Sequence, residues 1–277
     1  MRIRKLISTA LFIFFALSLR AHAQPEKDTS RCSEATVSLV GKRFRLDNFV
    51  YPEWGTSENG GLIVAGVCKP WPTNSSKLIA AFAYNKSVEY EKLLVIAVID
   101  TRTNQIISSY MNSIHEDASL TVGENSLRID TARYDFATGV RAFGIDLTTS
   151  YHQGCGDGGS DTERTLYIPD RKTIRPVLKL YAISWWKFIQ EGKTDCTPNV
   201  PDDVPMIIES SRATLEMGSE VTNSYRDIII SASSSRDDAT PSGKGKFSYR
   251  LRYDGSQYPT DQMWKAFEKW YVLTRKP

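Results

Sequence analysis

The chain has 277 residues, 41% of them hydrophobic, and its formal net charge is +3 at pH 7. A chain of this length buries about 70% of its unfolded surface, so core size does not limit its stability. The first 23 residues hold four of the 35 lysines and arginines and no acid, so the remainder has a net charge of −1. A near-neutral body without a basic block argues against binding to nucleic acid or anionic lipid.

The N-terminus has the pattern of a cleavable signal peptide. Three basic side chains within the first five residues precede an apolar run at 6–19, and Ala21 and Ala23 supply an A-x-A cleavage site. The run is shorter than the roughly 20 apolar residues that span a bilayer, which disfavours a transmembrane anchor. We therefore predict that 1–23 is removed, that the mature chain begins at Gln24, and that it is periplasmic or secreted.

All four cysteines, Cys32, Cys68, Cys155 and Cys196, follow the predicted signal peptide. An even count in an oxidising compartment predicts two disulfides, for which three pairings exist. We favour Cys32 with Cys68 and Cys155 with Cys196, because each pair closes a loop of about 40 residues and gains roughly 4 kcal/mol from loop closure. A reactive free thiol is the alternative.

The apolar runs are short, rich in Val, Ile, Leu and aromatic residues, and separated by turn residues, which is typical of strands. Residues 93–99 are apolar throughout, so we expect a strand buried on both faces. This strand forms a predicted hairpin with 106–110, and 164–168 forms another with 173–178. Further strands are predicted at 35–40, 62–67, 78–84, 127–131 and 141–149. The pattern predicts an all-β, hairpin-rich fold, either a sandwich or a propeller-like body.

The C-terminal part changes from a strand period to a helix period. Aromatic and polar residues alternate over 247–253, and Asp254–Gly255 then predicts a tight turn. A short amphipathic helix should follow, with Thr260 as its N-cap. Its apolar stripe consists of Met263, Trp264, Phe267, Trp270 and Tyr271. We expect the stripe to pack on the sheet; the alternative is a helix that binds a partner.

The proline-rich stretch 190–205 is the strongest candidate for a boundary. One interpretation divides the mature body, 24–277, into 24–189 and 206–277. The other is a single body in which this stretch is a long surface loop held by Cys196. Both interpretations stay open from the sequence.

The sequence offers few groups for catalysis. It contains no G-x-S-x-G elbow, no phosphate-binding P-loop and no H-E-x-x-H, and only His115 and His152 follow the predicted signal peptide. The adjacent aspartates at 202–203 and 237–238 occupy proline- and serine-rich loops, unlike a glycosidase pair. We predict no catalytic residue and no organic cofactor.

The segment 151–163 is glycine-rich and acidic. Asp157, Asp161 and Glu163 offer the hard oxygen ligands that Ca²⁺ prefers. Their spacing does not fit an EF-hand, so we favour a hairpin loop tethered by Cys155, with a calcium site as the alternative.

Tryptophans can stack on sugar rings or anchor interfaces, although most such side chains pack in cores or at sheet edges. The candidates are Trp54, Trp71, Trp185 and Trp186.

Taken together, these features predict an exported, non-catalytic protein of the cell envelope that binds, inhibits or assists a partner, either a protein or a glycan. The alternatives are an envelope hydrolase whose carboxylates converge on a glycan or peptide, and a structural module stabilised by Ca²⁺.

Overall fold

A computed structural model of the chain describes residues 31–52, 62–86, 90–117, 120–151, 158–189 and 207–272. Within these ranges the chain is mostly β-strand with two short helices, which confirms the predicted fold class. The helices are α1 (Glu34–Phe44) and α2 (Asp261–Val272). The strands are β1 (Ile63–Trp71), β2 (Asn74–Asn85), β3 (Glu91–Asp100), β4 (Gln105–His115), β5 (Leu120–Thr121), β6 (Leu127–Ala137), β7 (Val140–Thr148), β8 (Ser150–Tyr151), β9 (Gly158–Asp170), β10 (Thr173–Phe188), β11 (Ile208–Thr222), β12 (Tyr225–Arg236) and β13 (Phe247–Leu251).

Among the described residues, eleven strands form one sheet. β1 to β4 are an antiparallel meander, and β6, β7, β9, β10, β11, β12 and β13 follow one another through antiparallel pairs. The two halves are joined by a single parallel pair, Ser109 of β4 with Thr173 of β10. β5 and β8 form a separate two-stranded sheet.

The strand predicted at 35–40 is wrong, because this segment forms α1. The side chain of Ser33 caps the helix by accepting the backbone N–H of Thr36. Val37 and Val40 are both buried one turn apart, a helical rather than an alternating period. The helix ends at Arg45, whose φ of 55° places it in the left-handed region used by helix C-caps.

The disulfide Cys32–Cys68 joins the segment before α1 to β1, which is the pairing that the sequence favours. α1 covers one face of the meander, where Val40 packs with Phe82 and Val95. Cys155 and Cys196 lie outside the described residues, so their pairing stays a prediction.

Both faces of β3 are buried, as its apolar sequence predicts. Ile96 and Val98 belong to a core between the meander and the second half of the sheet, where they meet Phe143 and Ile145 of β7. The intervening Ala97 faces the core beneath α1.

α2 packs on the second half of the sheet, which confirms the predicted docking of its apolar stripe. Met263, Phe267 and Tyr271 are buried against strands that include β10 to β13. Trp264 and Trp270 are only partly buried, because they lie at the border of this core. Truncating Trp270 should therefore cost less than removing a fully buried aromatic.

β10 pairs with β11, so strands on both sides of 190–205 belong to one sheet and share one core. That stretch itself is not among the described residues, and the division of the chain into two units stays a prediction. In the part of the chain that the structure describes, no helix is long and apolar enough to cross a membrane.

Candidate functional site

Four hairpin ends converge on an open groove of about 1120 Å³, here called the hairpin groove. The β1–β2 end contributes Trp71, the β6–β7 turn Gly139, the β9–β10 end Asp170 and the β11–β12 turn Ser224. Because β2 belongs to the meander and β7, β10 and β12 to the other half, the groove lies where the two halves of the sheet meet.

The groove has a surplus of positive charge. Four cations line it, one from each of four strands: Lys77, Arg141, Arg175 and Arg226. Among the described residues that line the groove, Asp135 and Asp170 are the carboxylates, so the four cations exceed these acids by two charges. Within the described ranges, Arg141 alone among the four cations forms an ion pair, 3.9 Å from Asp135. The groove is therefore cationic although the protein is nearly neutral.

Backbone carbonyl groups hold the three guanidinium groups. Arg226 Nε donates to the Gly218 carbonyl at 2.8 Å, and Arg141 Nη2 donates to the Thr131 carbonyl at 3.1 Å. Arg175 Nη1 donates to the carbonyl of Ser256. A neutral carbonyl orients a guanidinium without cancelling its charge, and each guanidinium has five N–H donors. The groove therefore presents oriented cations with remaining hydrogen-bonding capacity.

Aliphatic and aromatic side chains form the apolar part of the groove. Trp71 is partly buried and contacts Phe143 edge to face, with ring centroids 5.9 Å apart. Tyr225 also lines the groove; its ring stacks on the fully buried Phe136 at 5.7 Å with an interplanar angle of 17° and packs on Tyr253 at 4.4 Å. The rim includes Val221, which is 61% exposed.

The β11–β12 turn shows how local sequence positions one wall. Thr222 pairs with Tyr225, which leaves a two-residue loop in which Asn223 and Ser224 both have positive φ. This is the geometry of a type I′ hairpin turn, which asparagine tolerates well. The Asn223 side chain also donates to the Tyr253 carbonyl at 2.8 Å. The turn therefore places Tyr225 and Arg226 in the groove.

A buried ionic cluster links β6, β7 and β9. Asp146 is fully buried and is paired with Arg164 at 2.6 Å and with the half-exposed Arg128 at 2.7 Å. Arg164 also lies 2.5 Å from Asp130, which accepts a hydrogen bond from Tyr134. Burial alone would raise the pKa of Asp130, but Arg164 and the Tyr134 hydroxyl outweigh it and lower the pKa. The cluster neutralises its own charges, so its role is to hold the three strands.

Gly144 makes room for this cluster. A Cβ atom at this position would lie 3.2 Å from Cδ of Arg164 and 3.2 Å from Cβ of Asp130. Both contacts are tighter than nearly all normal Cβ contacts, so the missing side chain lets Arg164 cross β7.

A second buried ionic cluster holds the end of α2. Glu209 is paired with Lys187 at 3.3 Å and with Lys244. The Tyr271 hydroxyl donates to the Glu209 carbonyl at 2.8 Å, and Lys187 Nζ donates to the Tyr271 carbonyl at 2.8 Å. Burial would raise the pKa of Glu209, but the two ammonium groups hold it below its ordinary value. Two lysines face one glutamate, so this cluster keeps one excess positive charge, and its contacts tether α2 to β10 and β11.

The predicted calcium ligands are only partly within the described structure. Asp161 and Glu163 are two residues apart on β9, Asp161 accepts a hydrogen bond from Ser184, and burial raises the pKa of Glu163. Asp157 falls in a segment that is not described. Across the described ranges, no group of three His, Cys, Asp or Glu side chains is placed to hold a metal ion. A site completed by Asp157 stays a prediction.

Of the tryptophans and histidines singled out from the sequence and described in the structure, Trp71 alone lines the groove. Trp71 lines the groove, whereas Trp185 packs against Phe267 of α2 at 4.1 Å. His115 is exposed at the end of β4. His152 and Trp54 belong to segments outside the description.

The groove cations escaped the sequence analysis altogether. They are spread over about 150 residues and sit in four different hairpins, so no local spacing connects them. One signal pointed to the groove, the candidate Trp71, which stands four residues beyond the predicted strand 62–67.

In comparisons with known proteins, the chain matches no protein family, no curated protein and no solved structure.

Proposed function

We propose that the protein is an exported, non-catalytic binding protein of the cell envelope, and that its ligand or partner binds in the hairpin groove. The observation that supports this most is the convergence of four cations from four separate hairpins on one open groove that Trp71 also lines. Concave sites that combine apolar surface with placed polar groups are typical of ligand recognition.

The groove has the rigidity that binding requires. Its arginines are held by backbone carbonyls, and the buried cluster around Arg164 braces β6 and β7, which carry Asp135 and Arg141. A pre-organised site spends less of its binding energy on ordering side chains. The export part of the proposal rests on the basic and apolar pattern of residues 1–23 and on the Cys32–Cys68 disulfide.

The hydrolase alternative would use the groove carboxylates, Asp135 and Asp170. The side chain of Asp135 is 51% exposed and lies beside Arg141, whereas a glycosidase acid needs apolar surroundings that favour its neutral form. This environment favours binding over acid catalysis.

One experiment tests both parts of the proposal. The full chain with a C-terminal tag is expressed, and each cell fraction is examined by intact-mass analysis. We expect a chain beginning at Gln24 in the periplasmic or secreted fraction. The purified protein is then incubated with an envelope extract, and retained molecules are identified by mass spectrometry and sugar analysis.

Two charge-matched double variants locate the binding site. Arg175→Ala/Arg226→Ala should lose the retained molecules, whereas Arg212→Ala/Arg252→Ala, which removes two exposed arginines elsewhere, should keep them. Equal retention by the two variants would place binding outside the groove. Recovery of the full chain with Met1 in the membrane fraction would refute export as proposed.

A further inference from the structure

The charge balance of the groove indicates the sign of its ligand. Across the described residues, Lys77, Arg175 and Arg226 have no carboxylate within 4 Å. By contrast, each cation of the two buried clusters lies within 4 Å of a carboxylate. A low-dielectric wall of aromatic rings strengthens the attraction of such cations for an anion. The ligand that complements the groove is therefore anionic.

The type of cation indicates the type of anion. Three of the four cations are arginines, whose planar N–H fork matches the two oxygens of a carboxylate or phosphate group. Arg175 and Arg226 each use one nitrogen on a backbone carbonyl, which fixes the plane of the fork. They come from different strands, so the groove suits a ligand with anionic groups at more than one place along its length.

The apolar surface of the groove indicates what kind of group joins the anionic groups of the ligand. Trp71 provides a partly exposed, flat apolar ring at the β1–β2 end of the groove. The C–H face of a sugar ring packs on an aromatic ring, while its hydroxyl and carboxylate groups point to polar neighbours. The groove, at about 1120 Å³, exceeds the roughly 300–1000 Å³ of common small-molecule pockets. It accommodates several sugar units.

We infer that the hairpin groove binds a carboxylate-bearing oligosaccharide of several units, with Arg175 and Arg226 holding carboxylates and Trp71 stacking on a sugar ring. This inference rests on the proposed binding function and specifies its ligand class. The flat, partly exposed ring of Trp71 favours a saccharide over an acidic peptide, whose extended backbone offers no comparable flat face.

The test measures binding of three probes by titration calorimetry. Pentagalacturonic acid carries a carboxylate on each sugar, cellopentaose is its neutral counterpart, and pentaglutamate has the same number of side-chain carboxylates on a peptide. We expect affinity in the order pentagalacturonic acid, then pentaglutamate, then cellopentaose. Binding of the acidic sugar should weaken as salt is raised.

Variants assign the roles of single residues. Arg175→Ala and Arg226→Ala should each lower the affinity for pentagalacturonic acid by about tenfold or more, as expected for loss of a charged hydrogen bond. Arg175→Lys keeps the charge but loses the planar fork, so it should lower the affinity less than Arg175→Ala does. Trp71→Ala should weaken binding of both sugars and leave pentaglutamate unchanged, which separates stacking from charge. Arg212→Ala/Arg252→Ala is the control, and a cooperative melt verifies that each variant is folded.

The outcomes separate the ligand class from the function itself. The ligand class would be refuted if either pentaglutamate or cellopentaose bound as tightly as pentagalacturonic acid. If no probe binds but capture from envelope extract still depends on Arg175 and Arg226, the ligand class is wrong and the binding function stands. If the arginine variants capture the same molecules as the unmodified protein, the proposed function of the groove is wrong as well.

Discussion

Arginines in two regions of this protein have opposite electrostatic surroundings. Arg164 lies in a buried cluster where Asp146 and Asp130 both pair with it within 2.6 Å. Arg175 and Arg226 lie in the hairpin groove, where their partners are neutral backbone carbonyls. The same residue type is thus neutralised where it holds strands together and is left uncompensated where it faces an open groove. The partner, rather than the arginine itself, separates a structural role from a binding role.

The largest loss of stability should come from removing the Arg164 side chain. Arg164→Ala would leave the fully buried Asp146 with only the half-exposed Arg128, and breaking a buried pair typically costs about 3–5 kcal/mol. Urea unfolding measures the change in the free energy of unfolding. Arg128→Ala is the matched control, since it removes a more exposed partner of the same carboxylate and should cost clearly less. Equal, small losses in both variants would mean that the cluster does not hold the fold together.

Substitution of Asp227 should change stability less, and should increase it. Its carboxylate is fully buried, and in the described structure neither oxygen has a hydrogen-bond partner. Asp227→Asn removes the charge that burial penalises, while the amide still has unmet hydrogen bonds, so we expect a gain of about 1 kcal/mol. Thermal unfolding at neutral pH measures it, with Asp261→Asn on the exposed first turn of α2 as the control. A loss of stability would show that the Asp227 charge is compensated.

The pH dependence of stability should also identify the buried cluster. The pKa of Asp130 is lowered in the folded protein, because Arg164 and Tyr134 outweigh the effect of burial. Its contribution is therefore fully present above the ordinary aspartate pKa of about 3.9 and is lost as the pH falls through the lower folded value. Comparing unfolding at pH 7 and pH 3, we expect Asp130→Asn to lose less stability on acidification than the unmodified protein. An identical loss in both would contradict the shift.

The buried parts of the fold were the predictable parts. β3 is an apolar run bounded by turns, and the buried end of β9 lies within the predicted strand 164–168, so the burial of both follows from the sequence. α1 was mistaken for a strand because its β-branched residues favour strands, while its Ser33 cap and helical spacing were overlooked. β11 and β12 were not predicted because serines and charged residues interrupt their apolar residues.

The groove was less accessible to sequence reasoning than the strands were. Lys77 and Arg226 meet only because β2 and β12 bring their hairpin ends to the same place. The position of a hairpin in a branched sheet depends on long-range pairing, such as that of β4 with β10, which local patterns do not encode.

The smallest effect on stability should come from the groove itself, where removing two arginines tests the comparison most directly. Among the described residues, Arg175→Ala/Arg226→Ala removes no ion pair. The carbonyls that it frees belong to Ser256, which is exposed, and Gly218, which is partly exposed, so water can replace the donors. We therefore expect the free energy of unfolding to change by about 1 kcal/mol or less, well below the loss for Arg164→Ala. A loss as large as that of Arg164→Ala would make these arginines structural and end the distinction between the two regions.

The distinction becomes sharper if an anion stabilises the protein. A ligand that binds only the folded state raises the melting temperature by mass action, so pentagalacturonic acid should raise it in the unmodified protein and in Arg212→Ala/Arg252→Ala but not in Arg175→Ala/Arg226→Ala.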